Sequence, residues 1–193
     1  VASLGELVPF LGDHVDLIDS PHDGRGAQDF AAGLGRPAPE PWYGGWGTRE
    51  FVFADGQWSL TFVHALDPAM TARTFQFRTG GGYVVGEESD VVAEAYNTVF
   101  DEDWKHVTLY VAAPHMVEAF GMADCGLTAN LEADISETGC AAWRPVEVCG
   151  EDHDLFAAEG DALFFGVRPA DNDMCTADRT PTELLPAVTR VAG

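Results

Sequence analysis

The feature that most constrains this chain is the alternation of apolar and polar side chains in short segments. Segments 49–53 (REFVF), 58–64 (WSLTFVH) and 74–78 (TFQFR) place an aromatic or aliphatic side chain at every second position. Successive side chains of a β-strand point to opposite faces of a sheet, so this period predicts strands with one apolar face. Asp55-Gly56, between the first two segments, favours a tight hairpin turn. The sequence therefore predicts antiparallel hairpins.

Similar segments continue to residue 167 and predict about ten short strands, with almost no helix beyond the N-terminus. The other predicted strands are 83–85, 106–111, 131–135, 140–148 and a hairpin over 152–167 that turns at Glu159-Gly160-Asp161. In 131–135, the side chains of Leu131, Ala133 and Ile135 are expected to point inward. Segment 91–100 fits either register, and the glycine run 79–82 is expected to form a hairpin or a bulge.

So many sequential hairpins usually close into a barrel or fold into a sandwich, because an open sheet exposes its edges. The aromatic character of the inward faces favours a barrel. The prediction is an all-β antiparallel barrel, possibly open, over residues 42–193.

Residues 1–41 lack this alternation and are predicted to wrap the barrel domain or to tie down one end of it. Segment 6–19 could hold a short helix, limited by Pro9 and Gly12. The chain begins at Val1 without an apolar signal core, which predicts a processed, mature form.

Composition restricts the partners. The formal net charge is −22 with a pI near 4.2, and Lys105 is the single lysine beside nine arginines. Such a chain repels phosphate backbones and anionic head groups, so nucleic acid and anionic membrane surfaces are not expected partners. No run of about 20 apolar residues predicts a membrane span.

The four cysteines lie in the C-terminal part of the chain and form no C-x-x-C pair, which weakens zinc and redox interpretations. An even count favours two structural disulfides and export to an oxidising compartment. Four cysteines can pair in three ways, and the favoured way joins Cys125 to Cys140 and Cys149 to Cys175. The alternative is four buried thiols in a cytosolic protein.

Segment 125–175 resembles the domain of the extracellular Wnt inhibitors called APCDD, for adenomatosis polyposis coli down-regulated. That family has a Cys-Gly pair, a Gly-Cys pair and a strand hairpin ending in Gly-x-Arg-Pro-x-Asp. The corresponding elements are Cys125-Gly126, Gly139-Cys140 and Gly166 to Asp171; the upstream matches are Thr48-Arg49 with Phe51 and Phe53, MTARTFQF (70–77) and AEAY (93–96), so the motifs occur in the same order over about residues 42–175. Met70 stands where the family has a cysteine, and no cysteine precedes Thr48.

The resemblance implies a calycin-like antiparallel β-barrel with a hydrophobic pocket for a lipid chain, in a single-domain bacterial or archaeal relative. It implies that the apolar strand 163–167 lines the barrel and that Gly166 leaves room beside it. Arg168 would cap the barrel mouth, and Cys175 would link the turn back to Cys149. In the simpler alternative Arg168 pairs with a nearby carboxylate such as Asp171.

The candidate ligand-binding residues are therefore those of the inward strand faces and of this turn. They are Trp58, Leu60, Phe62, His64, Phe75, Phe77, Phe164 and Arg168. Ligand pockets are mostly apolar with a few polar anchors, but an ordinary barrel core has the same residue types. His64 could be a polar anchor or a general base, or simply a hydrogen-bonded strand-end residue.

No cofactor, metal or catalytic motif is predicted. The acidic segment 12–24, with His14 and His22, lacks the spacing of a metal site, and no nucleophile elbow or phosphate-binding loop is present. The expected function is binding of a lipid or other apolar small molecule by a secreted or periplasmic protein. Two alternatives remain: an enzyme that uses His64 or Arg168 on an apolar substrate, and an interaction module with a solid core.

Overall fold

The structure is a computed structural model that describes residues 15–18, 45–67, 69–111, 113–159, 162–185 and 188–191. Ten strands, one short α-helix and one turn of 3-10 helix (Ala177–Arg179) occur in these ranges. They are β1 (Val15–Ile18), β2 (Trp46–Ala54), β3 (Gln57–Ala65), β4 (Arg73–Glu88), β5 (Tyr96–Asp101), β6 (Trp104–Leu109), α1 (Pro114–Ala119), β7 (Glu132–Asp134), β8 (Glu151–Glu159), β9 (Ala162–Phe165) and β10 (Val188–Val191).

All strand pairs are antiparallel and belong to one sheet. Its order is β3-β2-β1-β10-β9-β8-β5-β4-β6-β7, and β4 also pairs with β3. The sheet is therefore curled, because a strand late in the order returns to the first. The prediction of an all-β, antiparallel, barrel-like protein is confirmed.

The β2–β3 hairpin forms where the sequence predicts it. Asp55 and Gly56 have φ values of 52° and 73°, the positive pair that a two-residue type I′ turn requires. The pairing runs from Trp46↔Ala65 to Ala54↔Gln57 without a break. The turn thus fixes a register in which Phe51, Phe53, Trp58 and Phe62 are all buried.

The prediction of a hairpin or bulge at the glycine run is wrong, because Gly80, Gly81 and Gly82 lie inside the long strand β4. Gly80 pairs with Ser59 of β3 on one edge and with Trp104 of β6 on the other. A Cβ at Gly80 would lie 3.0 Å from Trp104 Cζ2 and 2.6 Å from the carbonyl oxygen of Trp58. Glycine is present here because the neighbouring strands approach closely, and not because the chain turns.

Other predictions near the C-terminal half also need correction. Segment 140–148 is not a strand: it forms consecutive turns joined by the bridge Cys140↔Trp143, with Ala141 at φ 53°. Leu131 is 62% exposed instead of facing inward, whereas Ile135 is buried as predicted. The helix α1 was not predicted.

At the N-terminus, residues 15–18 form β1, which pairs with β2 and β10, and not part of a helix. The remainder of 1–41 lies outside the described residues, so its wrapping role stays a prediction. In the ambiguous segment 91–100, Tyr96, Thr98 and Phe100 are the buried face of β5.

The core contains two large aromatic clusters and a smaller cluster of Ala95, Leu155 and Ala157. The first is centred on Phe51, Phe53, Trp58, Phe100 and Phe165, and the second on Phe62, Phe75, Phe77, Val107 and Trp143. Leu60, in the middle of β3, packs against both. The disulfides Cys125–Cys140 and Cys149–Cys175 form as favoured, closing loops with sequence separations of 15 and 26.

Candidate functional site

A cavity of about 80 Å³ lies between the two clusters, on the concave side of the sheet. Seven aromatic residues line it, and we call them the aromatic wall. They are Phe51, Trp58, Phe62, Phe77, Phe100, Trp143 and Phe165. Six of the seven come from strands, where the period of two brings them to the same face, and Trp143 comes from the turns at 140–148.

Ring contacts fix the aromatic wall in place. Phe51 stacks on Phe165 with centroids 4.3 Å apart, and Phe77 stacks on Trp143 at 4.5 Å with only 4° between the planes. Trp58 donates a hydrogen bond of 2.8 Å from Nε1 to the carbonyl oxygen of Asp101. Each such pair adds about 0.5–1.5 kcal/mol beyond area burial, so the wall is held in one arrangement.

Charged side chains form the other side of the cavity. This charged cluster comprises Glu102, Lys105, Asp152, Asp154 and Arg168, all of which line the cavity. Asp152 and Asp154 lie on β8 and point to the same face as the buried Phe156. Lys105 lies on β6 in phase with the buried Val107 and Leu109. The strand period that builds the aromatic wall therefore also brings charges inward.

Arg168 and Asp152 form the central ion pair. Arg168 Nη1 lies 2.7 Å from Asp152 Oδ2 and Nη2 lies 3.1 Å from Oδ1, a two-point contact, while Nε donates to Asn172 Oδ1 at 2.7 Å. Burial lowers the pKa of Arg168, but the charge of Asp152 outweighs it and the pKa lies above its usual value. Arg168 is therefore a fixed cation at the cavity.

Lys105, the single lysine, is 1% exposed and has three partners. Its Nζ lies 2.7 Å from Glu102 Oε2 and donates to the carbonyl oxygens of Arg144 at 3.1 Å and Cys149 at 2.6 Å. Burial raises the pKa of Glu102, and so does Asp152, whereas Lys105 acts in the opposite direction. The Cys149–Cys175 disulfide thus holds one of the acceptors of the charged cluster.

Asp154 is a buried carboxyl of the cavity. Its Oδ1 accepts hydrogen bonds from the backbone N–H groups of Leu155 at 2.7 Å and Gly166 at 2.8 Å. Burial, together with the charge of Asp152, raises the pKa of Asp154 to about 7. Gly166 is required because a Cβ there would collide with this carboxylate and with Pro181.

The structure brings five of the eight predicted ligand-binding residues to the cavity. Trp58, Leu60, Phe62, Phe77 and Arg168 line it. Arg168 pairs with Asp152, and not with Asp171 as the alternative interpretation suggested; Asp171 instead pairs with Arg179 at 2.6 Å.

The other three predicted residues lie elsewhere. Phe75 is buried beneath the cavity in the second aromatic cluster. His64 Nδ1 lies 2.6 Å from Thr74 Oγ1, and its ring stacks on Phe75 with centroids 5.2 Å apart. Phe164 points away from the cavity and packs with Leu155 and Ala157, while its neighbour Phe165 takes the place expected for it.

The acidic members of the charged cluster were not among the site residues predicted from the sequence. The signal was present in 151–159 (EDHDLFAAE), where Asp152 and Asp154 alternate in phase with Phe156. Among 32 acidic residues, two more aspartates did not stand out. Lys105, the single lysine of the sequence, was a second signal for the charged cluster.

Within the described ranges, no three histidine, cysteine or acidic side chains are grouped as metal ligands. The acidic segment 12–24 lies largely outside those ranges. Likewise, none of the helices in the described part of the chain is long and apolar enough to cross a bilayer. The two disulfides favour an oxidising environment.

No family model matches the chain, and the search of curated proteins found no match.

Proposed function

We infer that this protein binds a lipid or another apolar ligand in the cavity, within a calycin-like barrel that acts outside the cytoplasm. The observation that carries the proposal is a space between two aromatic clusters that the side chains of the barrel leave unfilled. Ligand sites are concave and mostly apolar, with a few polar groups that fix orientation. The aromatic wall and the charged cluster supply these two components.

The size of the cavity limits what is enclosed. A space of about 80 Å³ exceeds the 10–15 Å³ or so that one water requires, but it is small for a whole lipid. The enclosed part of the ligand is a short chain or a single ring. Each methylene group removed from water contributes about 0.8 kcal/mol, so even a short chain adds affinity.

The ligand would enter past the loops at 142–144 and 172. Ala142 and Asn172 are partly exposed, and the side chain of Arg144 is 49% exposed, although all three line the cavity. Cys125–Cys140 and Cys149–Cys175 link the loops on this side of the protein to one another. The longer part of a lipid would extend through this opening.

The resemblance to APCDD domains supports the same proposal, because it implies a lipid pocket in a barrel. The two disulfides agree with a secreted or periplasmic protein. A role in Wnt binding is not part of the proposal, since the resemblance covers one domain.

A second candidate is an enzyme acting on an apolar substrate, and Asp154 favours it. A carboxyl whose pKa is about 7 inside a largely apolar cavity can both accept and donate a proton near neutral pH. Asp154 would then be the general acid or base, in place of His64, which does not line the cavity.

The binding proposal is tested with a neutral apolar dye, N-phenyl-1-naphthylamine, whose fluorescence rises in an apolar site. We expect saturable binding by the purified protein, and native mass spectrometry should detect a co-purified apolar molecule. The variant Ala142→Trp should lower the affinity at least about tenfold because the indole fills the opening.

The matched control is Val148→Trp, which adds the same ring at a position that is 57% exposed and does not line the cavity. Absence of saturable dye binding by the unmodified protein would contradict the proposal. Equal losses in both variants would place the dye outside the cavity.

A further inference from the structure

The charged cluster leaves hydrogen-bond acceptors, and not donors, available to a ligand. Its cations already have protein partners, whereas two of its carboxyl groups keep an oxygen that accepts nothing from the described part of the chain. A ligand head group must complement what is left. This makes it possible to infer the chemistry of the head group that the proposed binding site would take.

The ammonium group of Lys105 has no donor left. An ammonium carries three N–H donors, and Nζ has three acceptors within 3.1 Å: Glu102 Oε2 and the carbonyl oxygens of Arg144 and Cys149. A carboxylate or phosphate ligand would have to displace one of these short contacts. Lys105 therefore serves the fold and is not available as an anion receptor.

Three arginines line the cavity, and each of them already has a partner in the protein. Arg144, at the opening, pairs through Nη2 with Asp173 Oδ2 at 2.8 Å. Arg168 directs three nitrogens to Asp152 and Asn172. Arg49, which is 7% exposed on β2, lies with its guanidinium 5.9 Å from the ring centroid of Phe51 and has a further partner in the protein. An incoming anion would compete with contacts that these cations already make.

The carboxyl groups of the charged cluster, in contrast, keep oxygens that receive no donor from the described ranges. Asp154 Oδ1 receives two backbone N–H groups, but no donor in the described ranges reaches Oδ2. Glu102 similarly accepts through Oε2 from Lys105 and not through Oε1. Because Asp152 offsets Arg168 and Glu102 offsets Lys105, an ionised Asp154 is the carboxylate of the cluster without a directly paired cation. Buried acceptors gain most from a charged donor.

We propose that the cavity selects apolar ligands that carry a protonated amine, with the ammonium group bound to Asp154 Oδ2 and the hydrocarbon part against the aromatic wall. This inference rests on the proposed binding function and specifies its ligand class. Phe100 and Trp58 also line the cavity, and aromatic faces attract cations that come within about 6 Å.

Amine binding should depend on pH through Asp154. The charged groups that line the cavity with this carboxyl are Asp152 on the same strand, Glu102 between β5 and β6, Lys105 on β6, Arg168 after β9, Arg49 on β2 and Arg144 in the turns at 140–148. Burial and Asp152 place the pKa of Asp154 at about 7. Affinity for an amine should rise as pH increases through this value, because the carboxylate form increases while an alkylamine, like lysine with its pKa of about 10.4, stays protonated.

The experiment compares three probes of equal chain length: hexylamine, 1-hexanol and hexanoate. Binding to the purified protein is measured by calorimetry and by the fluorescence of Trp58 and Trp143. At about pH 8 we expect hexylamine to bind at least about tenfold more tightly than hexanoate, the effect of one charge-assisted hydrogen bond. Hexanol should lie between them with no pH dependence.

The variant Asp154→Asn keeps the shape and the acceptor for both backbone N–H groups but removes the charge. It should reduce hexylamine affinity to within about threefold of that for hexanol, with hexanol binding unchanged. The matched control is Asp178→Asn, which removes the same charge from an exposed turn outside the cavity and should leave the preference for hexylamine intact. If Asp154→Asn does not fold, the pH dependence of hexylamine binding to the unmodified protein tests the same inference.

The outcomes separate the two proposals. Tightest binding of hexanoate, or a hexylamine affinity that does not change between about pH 5.5 and pH 8.5, overturns the amine inference and leaves the cavity as a binding site. Failure of all three probes together with the neutral dye overturns the proposed function itself.

Discussion

The aromatic wall and the charged cluster occupy the same cavity but differ in how their parts depend on one another. The wall is formed mainly by dispersion and apolar burial, so the loss of one ring leaves no unpaired charge behind. In the charged cluster, Asp152, Arg168, Glu102 and Lys105 each require a specific partner, because an unpaired buried charge is costly. The wall should therefore respond to substitution gradually, whereas the cluster should respond as a unit.

A second comparison concerns the same type of ion pair in two environments. Arg179 and Asp171 approach to 2.6 Å with side chains 37% and 59% exposed, whereas Arg168 and Asp152 approach to 2.7 Å at 21% and 8%. The distances are alike, but the surroundings differ. Exposed pairs are worth about 0–1 kcal/mol because water competes for both partners, so burial decides which pair matters.

The largest effect is expected for Arg168→Met, which leaves Asp152 buried beside Asp154 and Glu102 without its main counter-charge. The free energy of unfolding should fall by about 3–5 kcal/mol, as measured by urea denaturation at neutral pH. Arg179→Met, the control, should cost about 0–1 kcal/mol. Equal effects of the two substitutions would refute the distinction. The double variant Arg168→Met/Asp152→Leu should regain much of the loss, since the pair is then removed together.

The next effect concerns pH and Asp154. Because the pKa of this carboxyl is raised from 3.8 to about 7, the folded state holds a proton that the unfolded state releases between these values. The proton on Asp154 stabilises the folded state fully below about pH 4. This stabilisation, about 2–4 kcal/mol, is lost as the pH rises to about 7. Asp154→Asn should remove this part of the pH dependence.

Unfolding free energies at about pH 5 and pH 8, measured for the unmodified protein and the variant, provide the check. Glu102 acts in the same direction, because its pKa is also raised, so part of the slope should remain. Asp178→Asn should leave the loss of stability at high pH unchanged. Identical slopes with and without Asp154 would show that this carboxyl ionises normally in the folded protein.

The smallest effect is expected in the aromatic wall. Phe165→Leu retains most of the buried apolar area but loses the stack on Phe51, and it should lower stability by about 1–1.5 kcal/mol, equally at low and high pH. It should also weaken dye binding, because Phe165 lines the cavity. The neighbouring Phe164→Leu, on the other face of β9, should leave dye binding unchanged. A pH-dependent loss in Phe165→Leu would mean that the wall and the cluster are coupled.

Part of this structure was predictable because it depends on local pattern. The period of two in 49–53, 58–64 and 74–78 identified β2, β3 and β4 and their buried faces, and Asp55-Gly56 identified the turn between the first two. Both properties are set by neighbouring residues: side-chain alternation along a strand and the positive φ that a short hairpin needs. The favoured cysteine pairs are also the observed disulfides.

The sequence by itself determined an antiparallel β protein with aromatic inward faces, since those properties are local. Tertiary structure alone decided that β4 passes through the glycines at 80–82, that Phe165 rather than Phe164 reaches the cavity, and that Arg168 pairs with Asp152 instead of Asp171. These outcomes depend on register and on contacts between distant strands, as when Glu102 and Asp152 meet across β5 and β8. Charge pairing between such segments follows from where the sheet places them, and no spacing along the chain encodes it.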